Sequence, residues 1–136
     1  MRDDILLNKA AELTRCLARI REEYVCHEAA FATELRRQDS IVLNLTRACE
    51  TSIDLANHIV KVRQLGIPQT ARESFELLMA AGLLERDLCQ KMKNMVGFRN
   101  IAIHSYIQLD LGIIRGIVEH DLDDFAAFVA VVLRLP

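Results

Sequence analysis

Apolar residues recur at intervals of three and four from Asp4 to Leu135, and very little interrupts them: the 136 residues contain five glycines and two prolines. That period puts side chains on one stripe of an α-helix, whereas a half-buried strand would alternate residue by residue. No strand-like alternation, glycine-rich phosphate loop or internal repeat is present. The abundant Ala, Leu, Arg and Glu lose little rotamer freedom in a helix, so local preference agrees with the pattern. The chain is expected to be all-α.

Taken in order, Asp3 or Asp4 can cap a long helix whose stripe is Ile5, Leu6, Leu13, Leu17, Ile20, Tyr24 and Phe31, with an interruption near residues 25–28. A polar run at residues 36–40 places the next cap at Asp39 or Ser40. The helix it opens reaches about Leu65 on Ile41, Leu45, Ala48, Cys49, Ser52, Leu55, Ala56 and Ile59. Gly66-Ile67-Pro68 ends it, and Thr70 with Glu73 forms a capping box for a short helix closed near Gly82. A further helix covers residues 84 to about 106, with Gly97 as a candidate kink. Gln108-Leu109-Asp110 reads as a turn, with Asp110 capping a helix through Leu111, Ile114 and Ile117. A break at His120-Asp121 precedes a last apolar helix from Leu122 to Leu135, capped by Asp121. Near-continuous apolarity between residues 125 and 133 predicts burial on more than one side. The expected architecture is one domain over residues 1–136, an antiparallel bundle of five to six helices with the first two long. So apolar a last helix in so small a domain points to a homodimer.

At 51% hydrophobic and 26% charged, the chain is neither disordered nor of low complexity. No window offers the roughly 20 apolar residues of a membrane span, and the acids Asp3 and Asp4 do not fit a secretory signal, so a cytoplasmic protein is expected. Cys16, Cys26, Cys49 and Cys89 form no Cys-x-x-Cys pair and read as reduced thiols. A formal net charge of -2 excludes indiscriminate gripping of nucleic acid, so any such contact must be local.

Chemistry is concentrated between Arg99 and Tyr106, where a guanidinium, an amide, an imidazole and a phenol fall within eight positions. On an ideal helix Asn100 and His104 share a face, while Arg99 and His104 diverge by about 140°. Either the helix ends close to His104 and lets the ring turn, or two chains pool these residues across a dimer seam. Metal-free RNA cleavage needs a base for the ribose 2′-hydroxyl, an acid for the leaving oxygen, and positive charge for the phosphorane-like transition state. His104 suits the proton transfers and Arg99 the charge, because an imidazole titrates near neutrality and a guanidinium forks onto two phosphate oxygens. Asn100 can orient the ring or donate to phosphate, and Tyr106 can donate or stack on a base. Lys91 and Lys93 can extend a basic approach, although a solvated face is their commoner role. Glu50, Asp54 and His58 lie along one side of the second helix, and solvated ion pairing is favoured there over a metal site. No cofactor is implied.

Arg99-x4-His104-x-Tyr106 resembles the signature of HEPN-superfamily ribonucleases and, more narrowly, of HepT toxins. Around it, Leu43-Asn44-Leu45-x-Arg47-Ala48-Cys49-Glu50-x3-Asp54-Leu55-Ala56 is similar to the second helix of HepT proteins. Gly66-Ile67-Pro68-Gln69-x2-Arg72-Glu73-x-Phe75 is similar to their loop and third-helix entry, and residues 95–106 to their motif block. The resemblance implies a homodimeric, metal-independent endoribonuclease with Arg99 and His104 as catalytic pair, supported by Asn100, with Glu50 and Asp54 on the helix facing the cleft. It also implies an MntA-like minimal nucleotidyltransferase as antitoxin, which transfers AMP to the tyrosine matching Tyr106. A noncatalytic HEPN-type module that binds RNA or nucleotide and partners a nucleotidyltransferase is the other reading; it predicts binding without product.

Overall fold

The computed structural model describes residues 2–104 and 110–136. Those residues form six α-helices of six or more residues and a one-turn helix, with no strand among them. The elements are α1 (Asp4–Tyr24), the single turn α2 (Glu28–Phe31), α3 (Leu35–Val62), α4 (Ala71–Ala80), α5 (Arg86–His104), α6 (Leu111–Gly116), and α7 (Leu122–Leu133). A π-helical turn, Ile117–Asp121, joins the last two. Helices α1 and α3 are antiparallel: Asp3 and Lys9 near the start of α1 meet His58 and Asp54 late in α3, and Glu23 near its end meets Arg37. Leu13, Ile20, Ile41, Leu45 and Leu55 are sealed between them, and Phe75 of α4 packs edge-on against Phe128 of α7 with ring centroids 5.5 Å apart. Burial of one aromatic or aliphatic side chain contributes about 1.5–3 kcal/mol, so this seam and the Phe75–Phe128 contact supply much of the drive to fold.

Local chemistry sets the helix ends. Asp3 caps α1 by accepting from the Leu6 amide at 3.0 Å, and α1 stops at Val25, whose successor Cys26 has φ +65°. Thr70 accepts from the Glu73 amide at 3.1 Å, and Asp110 from the Gly112 amide at 2.7 Å. Gly66 and Gly82 both adopt positive φ after the helices they follow.

Three expectations are corrected. Asp39 and Ser40 lie inside α3, which begins at Leu35 with Glu34 in the cap position and no side-chain cap. The polar run is instead the outer face of its first turns: Arg37 donates to the Glu23 carbonyl at 2.7 Å and Gln38 to that of Phe31 at 2.8 Å, stitching α3 to the α1–α2 corner. Asp121 caps nothing. His120-Asp121 belongs to the π turn, where one extra residue per turn lets Ile117, Val118, Leu122 and Phe125 all stay on the buried side without a break. Within α7, Leu122, Phe125, Phe128, Val129 and Val132 form a single buried stripe, while Ala126, Ala127 and Leu133 are exposed; alanines, not a second buried face, account for its unbroken apolarity.

Candidate functional site

Helix α5 positions the site. Met92, Met95, Val96, Phe98 and Ala102 bury one face of it against the core, which turns Arg99 toward the seam with α3. The Arg99 Nε lies 3.5 Å from Glu50 Oε1, with its side chain 22% exposed. The contact is not a hydrogen bond, and Nε is buried with no acceptor among the described residues. Glu50 therefore holds the guanidinium by charge and leaves a donor unspent, an uncommon state for a buried polar atom. The neighbouring Cys49 thiol is pushed up to about 12, by burial first and the Glu50 charge second, against the opposing pull of Arg99.

His104 is the last described residue of α5 and is exposed; Asn100 is partly buried one turn before it. Arg99 and His104 thus share one helix, five positions apart. Tyr106 lies outside the described residues, as do Gln108 and Leu109 of the expected turn.

The Glu50-Asp54-His58 row divides among three partners. Glu50 faces Arg99, Asp54 faces Lys9 at 3.4 Å, and His58 Nε2 lies 2.7 Å from Asp3 Oδ2. The row is ion pairing, as favoured from the sequence. The Asp3 carboxyl sits below its ordinary 3.8, chiefly because the Leu6 amide donates to it and secondly through His58. Lys91 is divided between Asp87 and Asp124, and Lys93 reaches Glu76 at 3.4 Å, so neither forms a free basic approach. Asp87 and then Asp124 hold the Lys91 ammonium above its usual range. Burial raises the Asp124 carboxyl against the pull of Lys91.

Two arrangements were not foreseen. Gly97 does not kink α5, which runs through it; a Cβ there would come within 2.9 Å of Arg72 Nη2 from α4. The glycine makes room for a guanidinium whose Nε points at the Lys93 carbonyl at 3.4 Å, and Arg72 with Ile101, Asp110 and Ile113 lines a cleft of about 470 Å³ between α5 and α6. A glycine in a helical pattern carries no sign of which neighbour needs its space. Second, Arg115 of α6 lies over the rings of Tyr24 and Phe31, donates to the Tyr24 hydroxyl at 2.8 Å and to the Glu28 carbonyl at 3.1 Å, while that hydroxyl bonds Glu119. This network moors α6 and the π turn to the α1–α2 corner.

Among the described residues no helix is long and apolar enough to cross a membrane. The chain is 45% identical over 130 residues to the mRNA nuclease HepT of Shewanella oneidensis, covering 96% of this chain and 97% of that one. Its structure is similar to that of the tri-AMPylated Shewanella oneidensis HEPN toxin in complex with MNT antitoxin, with TM-score 0.93 and 44% identity over 98% of this chain and 100% of that chain. A solved toxin–antitoxin with AMP-PNP gives the same TM-score, identity and coverage. Residues 13–132 match the family described as ribonuclease HepT-like, and with relatives this similar along nearly the whole chain, the protein belongs to that family.

Proposed function

We propose that residues 1–136 act as one HEPN domain, a cytoplasmic, metal-independent endoribonuclease toxin that works as a homodimer and is paired with an MntA-like nucleotidyltransferase antitoxin. The carrying observation is Arg99: a guanidinium fixed beside Glu50, with an unspent donor, on the helix whose last described residue is the exposed His104. A charge held in place before substrate arrives needs no reorganisation when negative charge develops on the phosphorane-like transition state. His104 takes the proton from the ribose 2′-hydroxyl, whose oxygen attacks the adjacent phosphorus. A second imidazole proton transfer, or one through water, protonates the departing 5′-oxygen, so the strand breaks without net change in the enzyme. Asn100, one turn before His104, orients the ring. Half-exposed Ile101, Ile103 and Ile113 beside this end are the apolar surface that a second copy would cover.

The antitoxin relation follows the toxin–antitoxin complexes among its relatives and their AMPylated state. The Tyr106 hydroxyl attacks the α-phosphorus of ATP, releasing pyrophosphate and passing its proton to solvent, and the AMP so attached is a bulky anion two residues past His104 in sequence that opposes an incoming phosphate backbone. The test of catalysis is RNA cleavage by purified protein in EDTA. His104→Ala should abolish cleavage with its circular dichroism and melting unchanged, and cleavage by that folded variant at the wild-type rate would overturn the assignment. Modification is read by mass spectrometry with ATP and the neighbouring nucleotidyltransferase; the added AMP should vanish in Tyr106→Phe.

A further inference from the structure

We infer that Arg47, Arg15 and Arg19 form a cationic track that carries the RNA phosphodiester backbone across α3 to Arg99; the inference rests on the ribonuclease reading above. A groove of about 410 Å³ runs between α1 and α3, with Arg15 and Arg19 on its α1 wall and Arg47 on its α3 wall. Arg2, Arg21, Arg37, Arg99 and Arg115 all stand within ion-pair distance of an acid. The three groove arginines have no such partner among the described residues. Two acids border the groove, Glu12 and Glu22, so its three guanidinium groups outnumber its two carboxylates, and Glu12 is also within 3.7 Å of Lys9. In a chain of net charge -2 this is a local excess of positive charge. Burial and then Glu12 raise the Cys16 thiol at the groove floor, and Arg47 and Arg15 both act against them, so their charges converge on one place.

The track has a direction. Arg47 and Glu50 are three apart on α3, neighbours on one face separated by about 4.5 Å along the axis. Glu50 in turn holds Arg99. Leu43, Arg47 and Asp54 are exposed, so the ridge of α3 between the groove and Arg99 is open. A chain of guanidinium groups leading to a strand-cleaving site fits a phosphate backbone: each fork donates to two phosphate oxygens whatever the base, giving register on the strand without sequence preference.

The experiment uses the full chain carrying His104→Ala, so that a short single-stranded RNA of mixed sequence is bound and not consumed. Adding Arg15→Gln, Arg19→Gln and Arg47→Gln together should weaken binding at least about tenfold at moderate salt and reduce the slope of log affinity against log salt by about two, at roughly 0.7 per lost phosphate contact. Arg86→Gln, at the start of α5, is the control for loss of one arginine outside the groove, matched in charge to Arg47→Gln alone, and should change neither. In the cleaving parent the triple variant should raise KM more than it lowers kcat. Unaltered affinity and slope overturn the track, as does loss of binding to the antitoxin with RNA binding intact. Should the triple variant not fold, Arg47→Gln alone on the exposed ridge should still lower the slope by about 0.7. A parent that binds RNA along the track but never cleaves it refutes the ribonuclease reading; a parent that cleaves with KM indifferent to the three arginines refutes the track.

Discussion

Arg99 and Glu50 are bound by charge and not by a hydrogen bond: Nε lies 3.5 Å from Oε1 and has no acceptor among the described residues. A carboxylate that formed a forked bond would consume the guanidinium's donors. At this distance Glu50 sets where the charge sits without forming that fork.

In the proposed reaction Glu50 acts as a positioning residue, and its removal should act on kcat. Glu50→Ala is expected to lower kcat about 10- to 100-fold, the cost of a small misplacement of a catalytic charge, with a smaller change in KM. Arg99→Ala, which deletes the charge itself, should cost about 100- to 1,000-fold. Single-turnover cleavage measures both. Equal losses in KM and none in kcat for Glu50→Ala would mean that Glu50 merely shapes the RNA surface.

Tyr24 is the pivot of the mooring between the π turn and the first helix. Its hydroxyl accepts from Arg115 and bonds Glu119, and the ring is almost wholly buried. Tyr24→Phe leaves both charged partners short of a bond and should cost about 1–3 kcal/mol in urea unfolding. Burial, and then the bond to Glu119, raise the hydroxyl above its ordinary 10.0. A raised group stabilises fully below its unfolded value, so this contribution persists to pH 10 and disappears as pH climbs through the folded value. The alkaline fall in stability should be shallower in Tyr24→Phe.

Helical periodicity carried most of the fold because it reports which side of each helix is buried. It places the breaks at residues 25–28 and 66–68, and side-chain chemistry places the caps at Thr70, Asp110 and either Asp3 or Asp4, of which the structure uses Asp3; each cap is a local event between residues two or three apart. What it missed depends on partners distant in sequence. The start of α3 is hidden in the sequence because Arg37 and Gln38 are polar for the sake of Glu23 and Phe31, and the π turn looks like a break because the pair that moors it, Tyr24 and Arg115, is 91 positions apart. Gly97 signalled a kink and serves Arg72 instead. At the site, residue types made Arg99 and His104 candidates, while the grip of Glu50 on Arg99 required knowing how α3 and α5 pack.

The four cysteines should separate sharply toward an alkylating reagent. Cys26 is exposed, whereas Cys16, Cys49 and Cys89 are buried and burial raises all three thiols, Cys49 to about 12. Only the thiolate attacks, so native protein should show one fast thiol by mass spectrometry, lost in Cys26→Ser, and three more only on unfolding. A second fast thiol under native conditions would mean that the packing around that cysteine opens readily.

Asp3 performs two tasks at once, capping α1 through the Leu6 amide and pairing with His58 across to α3. Both lower its carboxyl below the ordinary 3.8. A depressed carboxylate stabilises above its unfolded value and loses that contribution as pH falls through the folded one. Asp3→Ala should accordingly lower the melting temperature by a similar amount throughout the neutral range, and the gap to the wild type should close only below about pH 4. Asp3→Asn separates the two tasks, since asparagine caps a helix about as well but carries no charge for His58. It should recover the cap and leave a residual deficit that His58→Ala no longer deepens. Full recovery by Asp3→Asn would show that the cap alone anchors the start of α1 and that the contact with His58 adds no stability.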